Sequence, residues 1–71
     1  MRQTYAIIGL GRFGGALLET LVANGQDVLG IDVSEEHVND YRDIATQVVI
    51  ADAQEDDVLR KLDIASFDHV I

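Results

Sequence analysis

Apolar positions follow two alternating rhythms along the chain. Tyr5-Ala6-Ile7-Ile8 is a short unbroken apolar run ended by Gly9. Such a run suits a strand buried on both faces, as in a parallel sheet. Beyond the glycines, Phe13, Leu17 and Leu21 recur at helical spacing, with Leu18 and Val22 beside them. That spacing predicts an amphipathic helix from about Arg12 to Ala23, stopped by Asn24-Gly25. Val28-Leu29-Gly30-Ile31 then repeats the strand pattern and closes on Asp32. Ser34 has the character of an N-cap, with Glu35 and Glu36 where the helix dipole favours acids. The second helix turns Val38 and Tyr41 inward and runs to about Asp43. Val48-Val49-Ile50 is a β-branched third strand. Asp52, with Glu55 three residues on, fits a capping box for a third helix carrying Val58, Leu59 and Leu62. A fourth strand begins at His69-Val70-Ile71.

The order β-α-β-α-β-α-(β) implies an α/β fold with a Rossmann-like parallel sheet. Residues 1–71 read as one nucleotide-binding unit, the front half of a doubly wound domain truncated as its fourth strand starts.

Composition narrows the partners. A chain of 71 residues is one domain at most and has little core to bury. Without Cys it has no disulfide to compensate, so self-association or further sequence is the expected source of extra burial. Thirteen acids against five bases leave a charge of −8. The bases Arg2, Arg12, Arg42, Arg60 and Lys61 form no run. Nucleic acid and anionic lipid are therefore poor partners. No apolar stretch approaches the ~20 residues of a spanning helix, and no signal-peptide pattern opens the chain, so a cytoplasmic location without membrane insertion is expected.

Gly9-Leu10-Gly11-Arg12-Phe13-Gly14 matches G-x-G-x-x-G in the right setting. It follows a strand, opens a helix, and an acid, Asp32, ends the next strand at close to the usual ~20-residue interval. Gly9 permits the tight turn, Gly11 lets a phosphate approach the backbone, and Gly14 lets the helix pack closely on the sheet. The helix N-terminus offers free N–H groups to phosphates. Asp32 suits ribose hydroxyls and repels a 2′-phosphate, which disfavours NADP against NAD, ADP or ATP. The Arg12 guanidinium is placed to reach a phosphate, although an ordinary surface Arg reads the same way. Phe13 reads as core in preference to a ligand contact. Asp52 ends the third strand, where it could meet an adenine amino group as well as cap a helix. His37 reads as a solvated helix residue, and His69 as local packing or surface. Asp56-Asp57 is an acidic first turn, not a catalytic pair.

Tyr5–Gly15, with its Gly-Leu-Gly-Arg-Phe-Gly core, resembles the start of regulator-of-potassium-conductance domains, also called TrkA-N domains. Val28-Leu29-Gly30-Ile31-Asp32, Ala45-Thr46-Gln47-Val48-Val49, Ala51-Asp52-Ala53 and Asp68-His69-Val70-Ile71 extend the likeness over nearly the whole chain. The resemblance implies regulation and not catalysis. It implies a cytoplasmic module that binds ATP, ADP or NAD/NADH, assembles as a homo-oligomer, and controls a membrane potassium-translocating subunit by ligand-dependent conformational change. At the matching positions Gly9, Gly11, Arg12, Phe13 and Gly14 would hold phosphates and Asp32 the ribose. Val33, Asp52 and Ala53 would flank the adenine. Asp63 departs from the family by standing where a helix-ending Gly is common, which predicts a different finish to the third helix. The competing reading is the cofactor-binding half of an NAD-dependent oxidoreductase, since dehydrogenases share this half-domain. The Arg12-Phe13 pair favours the regulator.

Overall fold

The computed structural model describes residues 2–71. Its elements are β1 (Thr4–Ile8), α1 (Arg12–Ala23), β2 (Asp27–Asp32), α2 (Glu35–Tyr41), β3 (Gln47–Ile50), α3 (Asp56–Lys61), a 3-10 turn (Ile64–Ser66) and β4 (His69–Val70). The strands form one sheet in the order β3-β2-β1-β4, and every pairing is parallel. This is the expected Rossmann-like arrangement, with β1 at the point where the winding direction reverses.

Unbroken apolar strands are explained by the two layers that sandwich them. Ile7, Leu10, Leu18 and Val28 form one buried cluster, with Leu17, Leu21 and Tyr41 against it, so α1 and α2 cover that face. Ala6, Leu29, Ile31 and Ile64 form the other, with Leu59, Leu62 and Phe67 against it, so α3 and the 3-10 turn cover the opposite face. Successive residues point to opposite sides. Ala6 therefore serves one layer and Ile7 the other. Gly30 keeps the first layer thin. A Cβ there would lie 3.0–3.1 Å from the methyl groups of Leu10 and Leu18.

Helix ends follow their local chemistry, with two corrections. Gly25 takes φ +82, and the N–H groups of Gly25 and Gln26 bond the carbonyls of Val22 and Leu21, which is a Schellman stop for α1. Ser34 caps α2 through its side chain, which accepts the His37 N–H at 3.3 Å. The capping box expected at Asp52 does not form. The Asp52 carboxylate accepts the Gln54 N–H at 2.9 Å. It stabilises a turn, and α3 starts only after Glu55, which makes no side-chain cap. The helix begins four residues beyond Asp52, and the Glu55 N–H, which a capping box would give to the Asp52 carboxylate, bonds the Asp52 backbone carbonyl at 3.1 Å instead. The second correction concerns Asp63, which adopts the left-handed conformation (φ 54) that a helix-ending Gly would supply. The helix therefore finishes in the ordinary way despite the substitution.

Edge strand β4 is anchored by side chains at its start. Thr4 and Asp68 bond reciprocally, N–H to carboxylate at 2.9 Å and N–H to hydroxyl at 3.0 Å. The His69 ring stacks on Tyr5 at 4.6 Å and meets the Gln3 side chain at 2.8 Å. Local packing is thus what His69 does. Among the described residues no helix is long and apolar enough to cross a membrane.

Candidate functional site

Parallel strands all present their C-terminal ends at one edge of the sheet, and the turns after β1, β2 and β3 meet there. Between them lies a cleft of about 240 Å³. Gly9, Asp32, Val33, Asp52 and Ala53 all line it, so five of the sequence-predicted positions converge. Its floor is made by Ile8 and Ile31, the last apolar residues of their strands, with Ala51 and Gln54 completing the rim. Sequence reading passed over these four, although the end of a central strand is where such a cleft must sit.

Around the glycine loop each residue has a separate cause. Gly9 takes φ +95, a conformation that disfavours any side chain, and its N–H bonds the Ile31 carbonyl at 2.8 Å. Leu10 turns inward and is 1% exposed, against Gly30 on β2. Gly11 faces open space, with nothing within 4 Å of where its Cβ would be. A Cβ on Gly14 would collide with the Gly9 carbonyl oxygen, so the third glycine is where helix and loop touch. A Cβ on Gly15 would likewise run into the Tyr41 ring of α2.

The start of α1 differs electrostatically from the other two helices. Gly11 offers no side-chain cap, and no acid lies in the first turn. By contrast, α2 begins with Glu35 and Glu36, and α3 with Asp56 and Asp57. The positive end of the α1 dipole and its free N–H groups are therefore left uncompensated beside the exposed Arg12. Gly11, Arg12, Phe13 and Gly14 do not line the cleft itself. They flank it. Phe13, read from its spacing as a core residue, is 75% exposed. Phe13 shares helical spacing with Leu17 and Leu21 but sits in the first turn of α1, and the buried cluster beneath that helix is made by Leu10, Leu17, Leu18 and Leu21 without it.

Asp32 is the most constrained polar group in the site. Its Oδ2 accepts the Leu10 N–H at 2.6 Å and faces His37 Nδ1 at 3.2 Å. Its Oδ1 accepts the Ser34 N–H at 2.8 Å. Burial raises the carboxyl's proton affinity. The two backbone donors and His37 outweigh that effect and hold the group below its ordinary value of 3.8. Asp32 is therefore an ionised acceptor at neutral pH. His37, read as solvated, instead points back from the first turn of α2 onto this carboxylate. The signal was available in principle, since Ser34 as N-cap sets the helix phase and brings the third residue after it over the strand end.

A Rossmann-like α/β fold is the class that this sheet order, glycine turn and strand-end acid define. Comparison with known proteins gives the family. The chain belongs to the TrkA-N domain family, which matches residues 5–71. TrkA-N domains are nucleotide-binding, Rossmann-like modules. The chain is 44% identical over 71 residues to Ktr system potassium uptake protein C of Bacillus subtilis (strain 168), covering all of this chain and 32% of that protein. It is 48% identical over 69 residues to Ktr system potassium uptake protein A of the same organism, covering 97% of this chain and 31% of that protein. Similarity extends to Ktr system potassium uptake protein A of Vibrio alginolyticus, at 31% identity over 69 residues, covering 97% of this chain and 31% of that protein. The chain thus spans about a third of the length of these relatives.

Proposed function

We propose that this chain is the nucleotide-sensing segment of a regulatory protein in a potassium uptake system. In this reading it binds ATP/ADP or NAD/NADH, and the bound nucleotide sets a conformation that a membrane potassium-translocating subunit responds to. The observation that carries the reading is the juxtaposition of the strand-end cleft, floored by apolar residues and rimmed by Asp32, with the uncapped start of α1. An adenosine has an apolar base, a ribose diol and a negatively charged tail. The cleft, Asp32 and the helix start offer the complement of each in that order.

The residue roles belong to the same proposal. Val33 and Ala53 cover the faces of the adenine, and Asp52 accepts from its amino group. Asp32 accepts from the ribose. The N–H groups at Gly11, Arg12, Phe13 and Gly14 receive the phosphates, with the Arg12 guanidinium adding charge. A 2′-phosphate would lie against ionised Asp32, so NADP is disfavoured. No acid–base group is assigned a chemical step, and the proposed role is binding and not catalysis. The names of the Ktr relatives support the potassium connection and the membrane partner. A peripheral cytoplasmic position and self-association belong to the same proposal. A −8 chain has little attraction to anionic lipid or nucleic acid by itself.

Calorimetric titration with ATP, ADP, AMP, NAD and NADH tests the reading, repeated on Asp32→Ala. Adenine-nucleotide binding that weakens in the variant is the expected result. A preference for NADH, with ATP and ADP failing to bind, would instead favour the oxidoreductase reading. Absence of binding by the folded chain would sink both.

A further inference from the structure

The Asp32 carboxylate shows an accounting conflict at the cleft, and it bears directly on the nucleotide reading, on which this inference rests. An ionised carboxylate has two oxygens with about two acceptor positions each. Oδ2 has both filled, by the Leu10 N–H at 2.6 Å and by His37 Nδ1 at 3.2 Å. Oδ1 has one filled, by the Ser34 N–H at 2.8 Å. A ribose diol gripped by both oxygens needs one free position on each. Only Oδ1 has one.

Two of the three occupants cannot leave. The Leu10 amide is part of the glycine loop, and the Leu10 side chain is buried. The Ser34 amide belongs to the residue that caps α2. His37 is different. Its side chain is 44% exposed, against 10% for Asp32, and it can swing into solvent by rotation about its own side-chain bonds. Because an ionised Asp32 can only accept, Nδ1 must carry the proton in this contact, so His37 donates as a ribose hydroxyl would.

We infer that His37 is an internal stand-in for a ribose hydroxyl: it occupies the acceptor position on Asp32 Oδ2 that a bound nucleotide needs, and the nucleotide must displace it. His37 thereby sets the affinity for ligands carrying a ribose diol and leaves ligands without one unaffected. It is a specificity-determining residue that acts through Asp32, and its effect is a penalty on binding.

The test compares ADP with 2′,3′-dideoxy-ADP on the purified protein and on His37→Ala, by calorimetry, with circular dichroism and thermal melting to show that both forms are folded. Wild type should bind ADP more tightly than the dideoxy analogue, which checks the ribose reading itself. His37→Ala should then bind ADP roughly three- to tenfold more tightly, the equivalent of one modest hydrogen bond. Its affinity for dideoxy-ADP should stay the same. Unchanged ADP affinity, or an equal change for both ligands, would overturn the inference while leaving the ribose reading intact. Weaker ADP binding in His37→Ala would overturn it too and make His37 a support for Asp32. If wild type does not distinguish the two ligands, or binds neither, the ribose reading fails and this inference fails with it. A second readout does not depend on the substitution. The imidazole 15N resonances of His37 should move toward those of a free side chain when ADP saturates the protein, and should stay put with dideoxy-ADP. The opposite pattern counts against displacement.

Discussion

Asp32 holds the glycine loop through the Leu10 amide, its Oδ2 lying 2.6 Å from that N–H. One carboxylate at the end of β2 therefore fixes the turn after β1 and, through Ser34 N–H, the entry to α2. Removing it should affect stability as well as binding. Asp32→Ala leaves two amides without their acceptor, at about 1–3 kcal/mol if water does not replace it. Urea unfolding should show that loss, and a variant as stable as wild type would mean that the loop holds itself.

Acid should reveal the same contacts. Asp32 and Asp68 are both held below the ordinary carboxyl value of 3.8: Asp32 because its hydrogen bonds outweigh burial, Asp68 by the Thr4 amide and hydroxyl. A carboxyl whose folded value is depressed binds protons more readily when unfolded. Its stabilisation is complete above the ordinary value and disappears as pH falls through the folded one. Urea midpoints should therefore fall steeply from about pH 4 downward. Asp32→Asn should flatten that fall, and Thr4→Val should reduce Asp68's share. Slopes indistinguishable from wild type would count against these contacts.

The glycines at positions 11 and 14 should separate binding from folding. Gly14→Ala drives a methyl into the Gly9 carbonyl and should cost about 1–3 kcal/mol as helix and loop are forced apart. Gly11→Ala meets nothing in the protein, and its backbone (φ −73, ψ −159) suits an ordinary residue. Stability should stay within about 0.5 kcal/mol. Its methyl would enter the space proposed for phosphate, so nucleotide affinity should fall about tenfold, near 1.4 kcal/mol. Melting curves and titrations on the two variants decide it, and the reverse assignment of effects would be fatal.

Asp63 pays a conformational penalty that Gly would not, since its φ is 54. Asp63→Gly should raise stability by about 0.5–1 kcal/mol. Differential scanning calorimetry would register it as a higher melting temperature. A lower one would mean that the Asp63 side chain contributes more than its backbone costs.

Phe13 lies outside the core at 75% exposure. At low protein concentration Phe13→Ala should change stability by no more than about 0.5 kcal/mol. A loss of several kcal/mol under those conditions would restore the buried reading that its spacing suggests.

The sequence by itself determined the order of elements, the parallel sheet, the glycine turn and the acid at the end of β2. These are legible because each rests on local chemistry: apolar runs for doubly covered strands, helical spacing for α1, Gly9 and Gly25 where φ is positive. Five of the proposed site residues converge on one cleft for the same reason, since strand ends in a parallel sheet must share an edge. What only the tertiary structure decided was which of two plausible neighbours a side chain chose. Leu10, a variable position in the motif, packs into the core against Gly30, while Phe13 stays exposed. Asp52 bonds forward into a turn and leaves α3 uncapped. His37 folds back onto Asp32. In each case the competing contacts have similar local cost, and the choice depends on the space left by residues distant in sequence, which no pattern along the chain encodes.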